Sequence, residues 1–183
     1  VIVQRSFAAH VVGLSPGLAV FKDELAWTQA GEPWPCLLVT LVSLRPGSKG
    51  TGTYDRRIFD EDTGTYRYEK HHVERQVLRL TIRSAAKAGK SGATLVEEVA
   101  DAIRSLLRAH AQGQALDLVD AATGTSVHVE RLRLITESDQ SPQLSRVPFE
   151  AQKTLDVELM AVWPVVTTVA PPFQDVTLTV DVE

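Results

Sequence analysis

The sequence predicts an α+β fold: a mostly antiparallel β-sheet with two helices packed on one face and a long β-hairpin extension. Three observations carry that prediction. First, apolar and polar residues alternate in three segments. Leu78, Leu80 and Ile82 alternate with Arg79, Thr81 and Arg83. Leu155, Val157, Leu159 and Ala161 alternate with Asp156 and Glu158. Val176, Leu178, Val180 and Val182 alternate with Thr177, Thr179 and Asp181. A period of two is the signature of a strand with one buried and one wet face. Second, Leu95, Val99, Ala102, Ile103, Leu106 and Leu107 form an apolar stripe at helical spacing, which needs a sheet to pack against. Third, the hexapeptide Asp-x-x-Thr-Gly-Thr occurs twice, at 60–65 and 120–125, each time between strand-like segments. That composition suits a type I turn closed by a glycine with positive φ, and hence a hairpin.

The elements follow in order. Val1 to Val12 is apolar and β-branched and reads as a strand or an arm. Ser15-Pro16 is a helix-start signal, a capping residue before a proline that needs no amide donor. Leu18, Phe21 and Leu25 then fall on one helical face, and Gly31 and Pro33 stop the run, which predicts a helix over about 16–29. Pro35 to Leu44 is apolar on both alternating faces, a strand buried on both sides. Arg45 to Gly52 is Gly-rich and basic, an exposed loop. A long hairpin runs from Tyr54-Asp55-Arg56-Arg57-Ile58-Phe59 to Tyr66-Arg67-Tyr68. The second helix opens on the capping box Thr94-Leu95-Val96-Glu97 and ends at Gly113. Its acidic residues Glu97, Glu98 and Asp101 sit early and Arg104 and Arg108 late, as the helix dipole favours. In the following strands the apolar phase slips between Val127, Val129 and Leu132, Leu134, which predicts a bulge near Glu130-Arg131.

Bulk properties bound the function. A chain of 183 residues with 44% hydrophobic and 23% charged residues has the globular mix and the length of one domain, 1–183. A net charge of −4 is not that of a protein that coats nucleic acid. A lone cysteine, Cys36, excludes an intramolecular disulfide and a multi-cysteine zinc site. No basic stretch leading into a long apolar run opens the chain, so no signal peptide is expected. The run from Leu159 to Phe173 is free of charge but holds Pro164, Pro171 and Pro172, and it falls short of the roughly 20 apolar residues of a membrane span.

Motifs that carry chemistry elsewhere do not assemble here. Asp62-Thr63-Gly64 is the tripeptide of aspartic proteases, but that chemistry needs two carboxylates sharing a proton and there is no second copy. Counted from Asp60, a calcium loop needs a bidentate Glu at its twelfth position, where His71 stands. His71 and His72 are adjacent, so a regular strand points them to opposite faces, away from a shared metal. Gly50-Thr51-Gly52-Thr53 lacks the Gly-Lys-Ser/Thr end of a phosphate loop. Arg45, Lys49, Arg56 and Arg57 form basic patches beside it, a solvated loop or a contact to a partner or to passing DNA. There is no Gly-x-Ser-x-Gly, and Cys36 opens a buried strand as a small apolar residue would. No enzyme activity, cofactor or metal is expected.

The order of elements resembles that of the tail terminator (tail completion) proteins of long-tailed bacteriophages. The likeness rests on a short N-terminal helix, the strand opening Pro35-Cys36, the long hairpin, and Leu78-Arg79-Leu80-Thr81-Ile82-Arg83-Ser84 running into the helix that ends Ala102-Ile103-Arg104-Ser105-Leu106-Leu107. It spans about 15–168, with 169–183 expected to be a C-terminal extension that pairs with a neighbour. The resemblance implies a homo-oligomeric ring, commonly a hexamer, at the head–tail junction of a virion. It implies a ring that caps the tail tube, docks to the head connector, lets DNA pass through its channel and assembles in the host cytoplasm. It implies no catalytic residues. Arg56, Arg57, Phe59, Tyr66 and Tyr68 of the hairpin are the expected interaction surface. Two alternatives stay open: another phage or contractile-injection neck, connector, tube or baseplate component, and a stand-alone small enzyme or ligand-binding domain, which would show a concave pocket with convergent polar groups.

Overall fold

A seven-stranded sheet wraps around two helices. The computed structural model describes residues 2–15, 17–46, 53–62, 64–140 and 151–169, with the backbone alone at 46, 53–58, 60, 65–70, 140 and 165–169. The order along the chain is α1 (Ile2–Leu14), β1 (Ala19–Phe21), α2 (Glu24–Gln29), β2 (Cys36–Pro46), β3 (Thr53–Asp60), β4 (Thr65–Ser84), α3 (Gly92–Ala111), β5 (Leu116–Asp120), β6 (Thr125–Gln140) and β7 (Ala151–Val169). Across the sheet the strands run β1-β2-β4-β7-β6-β5, with β3 on β4 beyond the reach of β2. Only β1–β2 is parallel among the described pairs.

The two long central strands follow from their alternation. Leu78, Leu80 and Ile82 of β4 and Leu155, Val157, Leu159 and Ala161 of β7 are fully buried on the helix side. Val96, Val99, Ala100, Ile103 and Leu107 of α3 pack on them. The α3 cap lies three residues before the expected capping box: the Ser91 side chain accepts from the Thr94 amide, and the helix begins at Gly92. Gly92 sits so close to the end of β4 that an added Cβ would overlap the Ser84 carbonyl oxygen. The helix ends as expected, with Gly113 at φ +91°.

Two expectations near the N-terminus need correction. The segment read as a strand or an arm is helical from Ile2 to Leu14, because Val3, Phe7 and Val11 recur every four residues and are buried in the main core. Strand propensity is a weak prior, and packing of that stripe overrides it. Nor does a helix run over 16–29. Ala19–Phe21 pairs with Cys36–Leu38, and the helix is only Glu24–Gln29, capped by Asp23, which accepts from the Ala26 amide. Leu25, expected on the buried face, is 66% exposed, and Trp27 packs instead.

The layer arrangement changes with them. The pair of helices on one face is α1 and α3, which share one core. The short α2 caps a corner of the opposite face, where Trp27, Cys36 and Leu38 cluster with Phe21 and Trp34. The Arg83 guanidinium lies 4.3 Å from the Trp27 ring centroid and bonds Glu24, a cation–π and ionic cover for a buried arginine. The sheet is also more curled than a flat layer. Gln4 of α1 donates to the Val39 carbonyl oxygen on β2 at 2.6 Å, and Arg5 donates through Nε and Nη2 to both Asp120 oxygens on β5 at 2.5 Å each. One helix thus bridges opposite flanks of the sheet. The strand read at Val176–Val182 and the loop over 47–52 lie outside the described residues.

Candidate functional site

The long hairpin forms as its turn chemistry requires. Asp60 pairs with Thr65, Gly64 takes φ +64°, and β3 and β4 run antiparallel back to Thr53 and His72. The register sets Arg57 opposite Tyr68, Phe59 opposite Tyr66, and Arg56 opposite Glu69. Arg57, Phe59, Tyr66 and Tyr68 therefore share one face of the ribbon at backbone level, and Arg56 belongs to the other. The side chains of Arg56, Arg57, Tyr66 and Tyr68 lie outside the described residues; Phe59 is 51% exposed near the tip. On its other side the same stretch of β4 pairs with β7 as far as Val169. The result is a three-stranded arm. At about 3.4 Å per residue β4 spans roughly 65–70 Å, whereas α3 at 1.5 Å per residue reaches only about 30 Å. More than half of β4 thus runs beyond the length of α3.

The sister hairpin shows how the shared hexapeptide works. The Gly124 amide donates to the Asp120 carbonyl oxygen at 2.7 Å, the Thr123 hydroxyl donates to the Asp120 carboxylate at 2.6 Å, and Gly124 has φ +69°. Asp120 is fully buried, and the Arg5 guanidinium followed by the Thr123 hydroxyl holds its carboxyl far below the usual range. Asp62 stands exposed in the turn at the other tip, beside exposed Glu61.

His72 bonds Glu74 through Nε2 at 2.8 Å and lies tilted against Trp163 with ring centroids 4.8 Å apart, and Gln76 donates to the other Glu74 oxygen. Cys36 is buried against the Trp27 cluster.

The sheet face away from α1 and α3 carries an ion-pair row that sequence reasoning missed. Arg79 of β4 and Asp156 of β7 are register partners joined by two bonds of 2.9 Å. One step along, Glu158 is 1% exposed although it falls on the expected wet face. Arg133 donates to it through Nε at 2.7 Å and Arg75 forms a second ion pair. Burial pushes the Glu158 carboxyl up, but the hydrogen bonds from Arg75 and Arg133 outweigh it and hold it below the ordinary carboxylate range. Alternation placed these charges on one face; their pairing depends on strands 77 and 25 residues apart in sequence.

On the helix side a second network ties α3 to the sheet. Lys153 is buried and donates to Glu97 and Glu137, and Arg104 donates to Glu97, Asp101 and Glu137. These bonds raise both cations' affinity for their protons, against the cost of burial. The groups of this second network are engaged with one another. No described helix is long and apolar enough to cross a membrane, and no group of three or more metal-ligating side chains gathers among the described residues. No family model matches this chain, and a search of curated proteins finds no match either.

Proposed function

We propose that the chain is a structural, ring-forming subunit, a tail terminator that caps a phage tail tube and docks to the head connector. The observation that carries the reading is the three-stranded arm of β3, β4 and β7. It extends past the length of α3 and brings Phe59, half in water, to its tip. An isolated subunit gains little from such an arm, since strands need a packed face for stability. A neighbour that packs on it supplies that face.

Open strand edges favour the same reading. β5 covers β6 only over Thr125–Val129, so one edge of β6 from Glu130 to Gln140 has no strand partner among the described residues. Unpaired edges template pairing with another chain, and the two bulges and the charges Glu130, Arg131, Arg133, Glu137 and Asp139 on this one restrict such pairing to a matching partner. In a ring those edges meet a neighbour at every interface. The net charge of −4 is compatible with a channel through which DNA slides without sticking.

Imaging of the purified chain by negative-stain electron microscopy tests the proposal. Closed particles of uniform diameter with a central opening are expected. A field of open filaments, or of particles with no opening, would count against a terminator.

A further inference from the structure

We propose that a cavity on the open face of the sheet binds an aliphatic carboxylate. This goes beyond the ring reading and does not depend on it. The cavity holds about 490 Å³, within the range of small-ligand sites. Arg45, Arg75 and Arg133 line it, with Glu158 between them.

The charge count favours an anion. Glu158 answers two of the three guanidinium groups, through Arg75 and Arg133. Arg45 makes no ion pair among the described residues, and the cavity is left with an excess of two positive charges. Arg133 spends Nε and Nη2 on Glu158, and Arg75 spends Nε. The remaining guanidinium nitrogens are donors for a second carboxylate, and Arg75 and Arg133 are about half exposed. Planar guanidinium groups suit carboxylates because two parallel N–H bonds meet two oxygens.

A β-bulge on β2 builds the cationic wall of the site. On β2, Leu37, Val39 and Leu41 pair with helix-side residues of β4. A regular strand would keep Ser43 and Arg45 in that same phase. The bulge at Val42 reverses it, so Ser43 pairs with Val77 and Arg45 with Arg75 on the open face. On β6, a bulge between Leu134 and Thr136 leaves Ile135 without a partner on β7, and both Leu134 and Ile135 line the cavity. Ile135 is 46% exposed and with Val77 gives an apolar wall beside the cationic end, whereas Leu134 is the register partner of the core residue Val157. Bulges recur where a strand must re-aim a side chain. Here the bulge on β2 turns Arg45 toward the space that Ile135, two residues along β6 from Arg133, also lines. A ligand with a carboxylate head and an aliphatic chain satisfies both walls.

The test is isothermal titration of the full chain with octanoate, acetate and inorganic phosphate. The account expects octanoate to saturate one site per chain. Acetate and phosphate should bind at least about 10-fold more weakly, because they lose the apolar wall. The Arg45→Met variant keeps the aliphatic stem and loses the charge, and it should weaken octanoate at least about 10-fold. Arg79→Met removes an arginine of the same face outside the cavity and should leave binding within about twofold. Circular dichroism of each variant verifies the fold. The proposal is overturned if octanoate shows no saturable binding. It is equally overturned if Arg45→Met binds octanoate as the parent does, or if acetate or phosphate matches octanoate, which would leave only a charge patch.

Discussion

Glu158 is the residue on which the open face depends. Its carboxylate is buried and held by two half-exposed arginines. Glu158→Gln keeps the shape and removes the charge, so it should cost about 1–3 kcal/mol, the usual range for a charge-assisted hydrogen bond left poorly matched. Urea unfolding checks this as a lower midpoint with an unchanged slope. A broader expectation comes from the carboxylates held below their ordinary range: Asp120 by Arg5, Glu97 by Lys153, Glu137 by Arg104, Asp156 by Arg79, and Glu158 by its arginines against burial. A lowered folded-state pKa means the unfolded chain takes up protons first. The stabilisation is therefore complete above the ordinary carboxylate range of about pH 4–4.5 and declines as pH falls through it. Melting temperatures should be flat from pH 7 to about 5.5 and drop steeply by about pH 3. Asp120→Asn should make that acid slope shallower; an unchanged slope would remove Asp120 from the account.

Among the elements, α3 was the most legible and α1 the least. The α3 stripe is long and periodic, and its C-terminal Gly113 is where the pattern places it; only the cap moved, to Ser91. Ser91→Ala should cost about 1 kcal/mol. Gly92→Ala should cost more, about 1–3 kcal/mol, because its methyl meets the Ser84 backbone, which has no rotamer to yield. Chemical denaturation of the two variants side by side checks the order; a milder Gly92→Ala would mean that α3 can slide from β4. In α1 the every-fourth pattern of Val3, Phe7 and Val11 was present but hidden by β-branched neighbours that fit a strand equally well. Over 16–29 three apolar residues matched a helix by chance, and Ala19–Phe21 pairs with a strand reached only through the tertiary fold. The hairpins and the bulge near Glu130–Arg131 were readable because turn glycines and a phase slip are local signals. The ion pairs of Glu158 and Lys153 were not, since they join strands and helices far apart in sequence. For the arm, Phe59→Asp should reduce the assembled fraction while leaving the circular dichroism spectrum of the subunit unchanged. Assembly at parental levels would place the interface elsewhere.

At the scale of the whole molecule, the sheet curls until α1 touches β2 on one flank and β5 on the other. The main core is then a cluster that includes α1, α3 and both flanks of the sheet. Phe7 is fully buried in it, and Phe7→Ala should cost about 3–5 kcal/mol and loosen α1 from both flanks together. Amide hydrogen exchange would register this as joint loss of protection in α1 and β5; loss in α1 alone would contradict the bridging role. The curled core leaves two features outward: the arm and the open edge of β6. Both are expected to be covered when subunits close a ring. The mass of the purified chain in solution, measured by light scattering across a concentration series, tests that claim most directly. The account predicts a discrete species near six times the 20.0 kDa chain mass that persists on dilution. A single 20.0 kDa species at every concentration would contradict it.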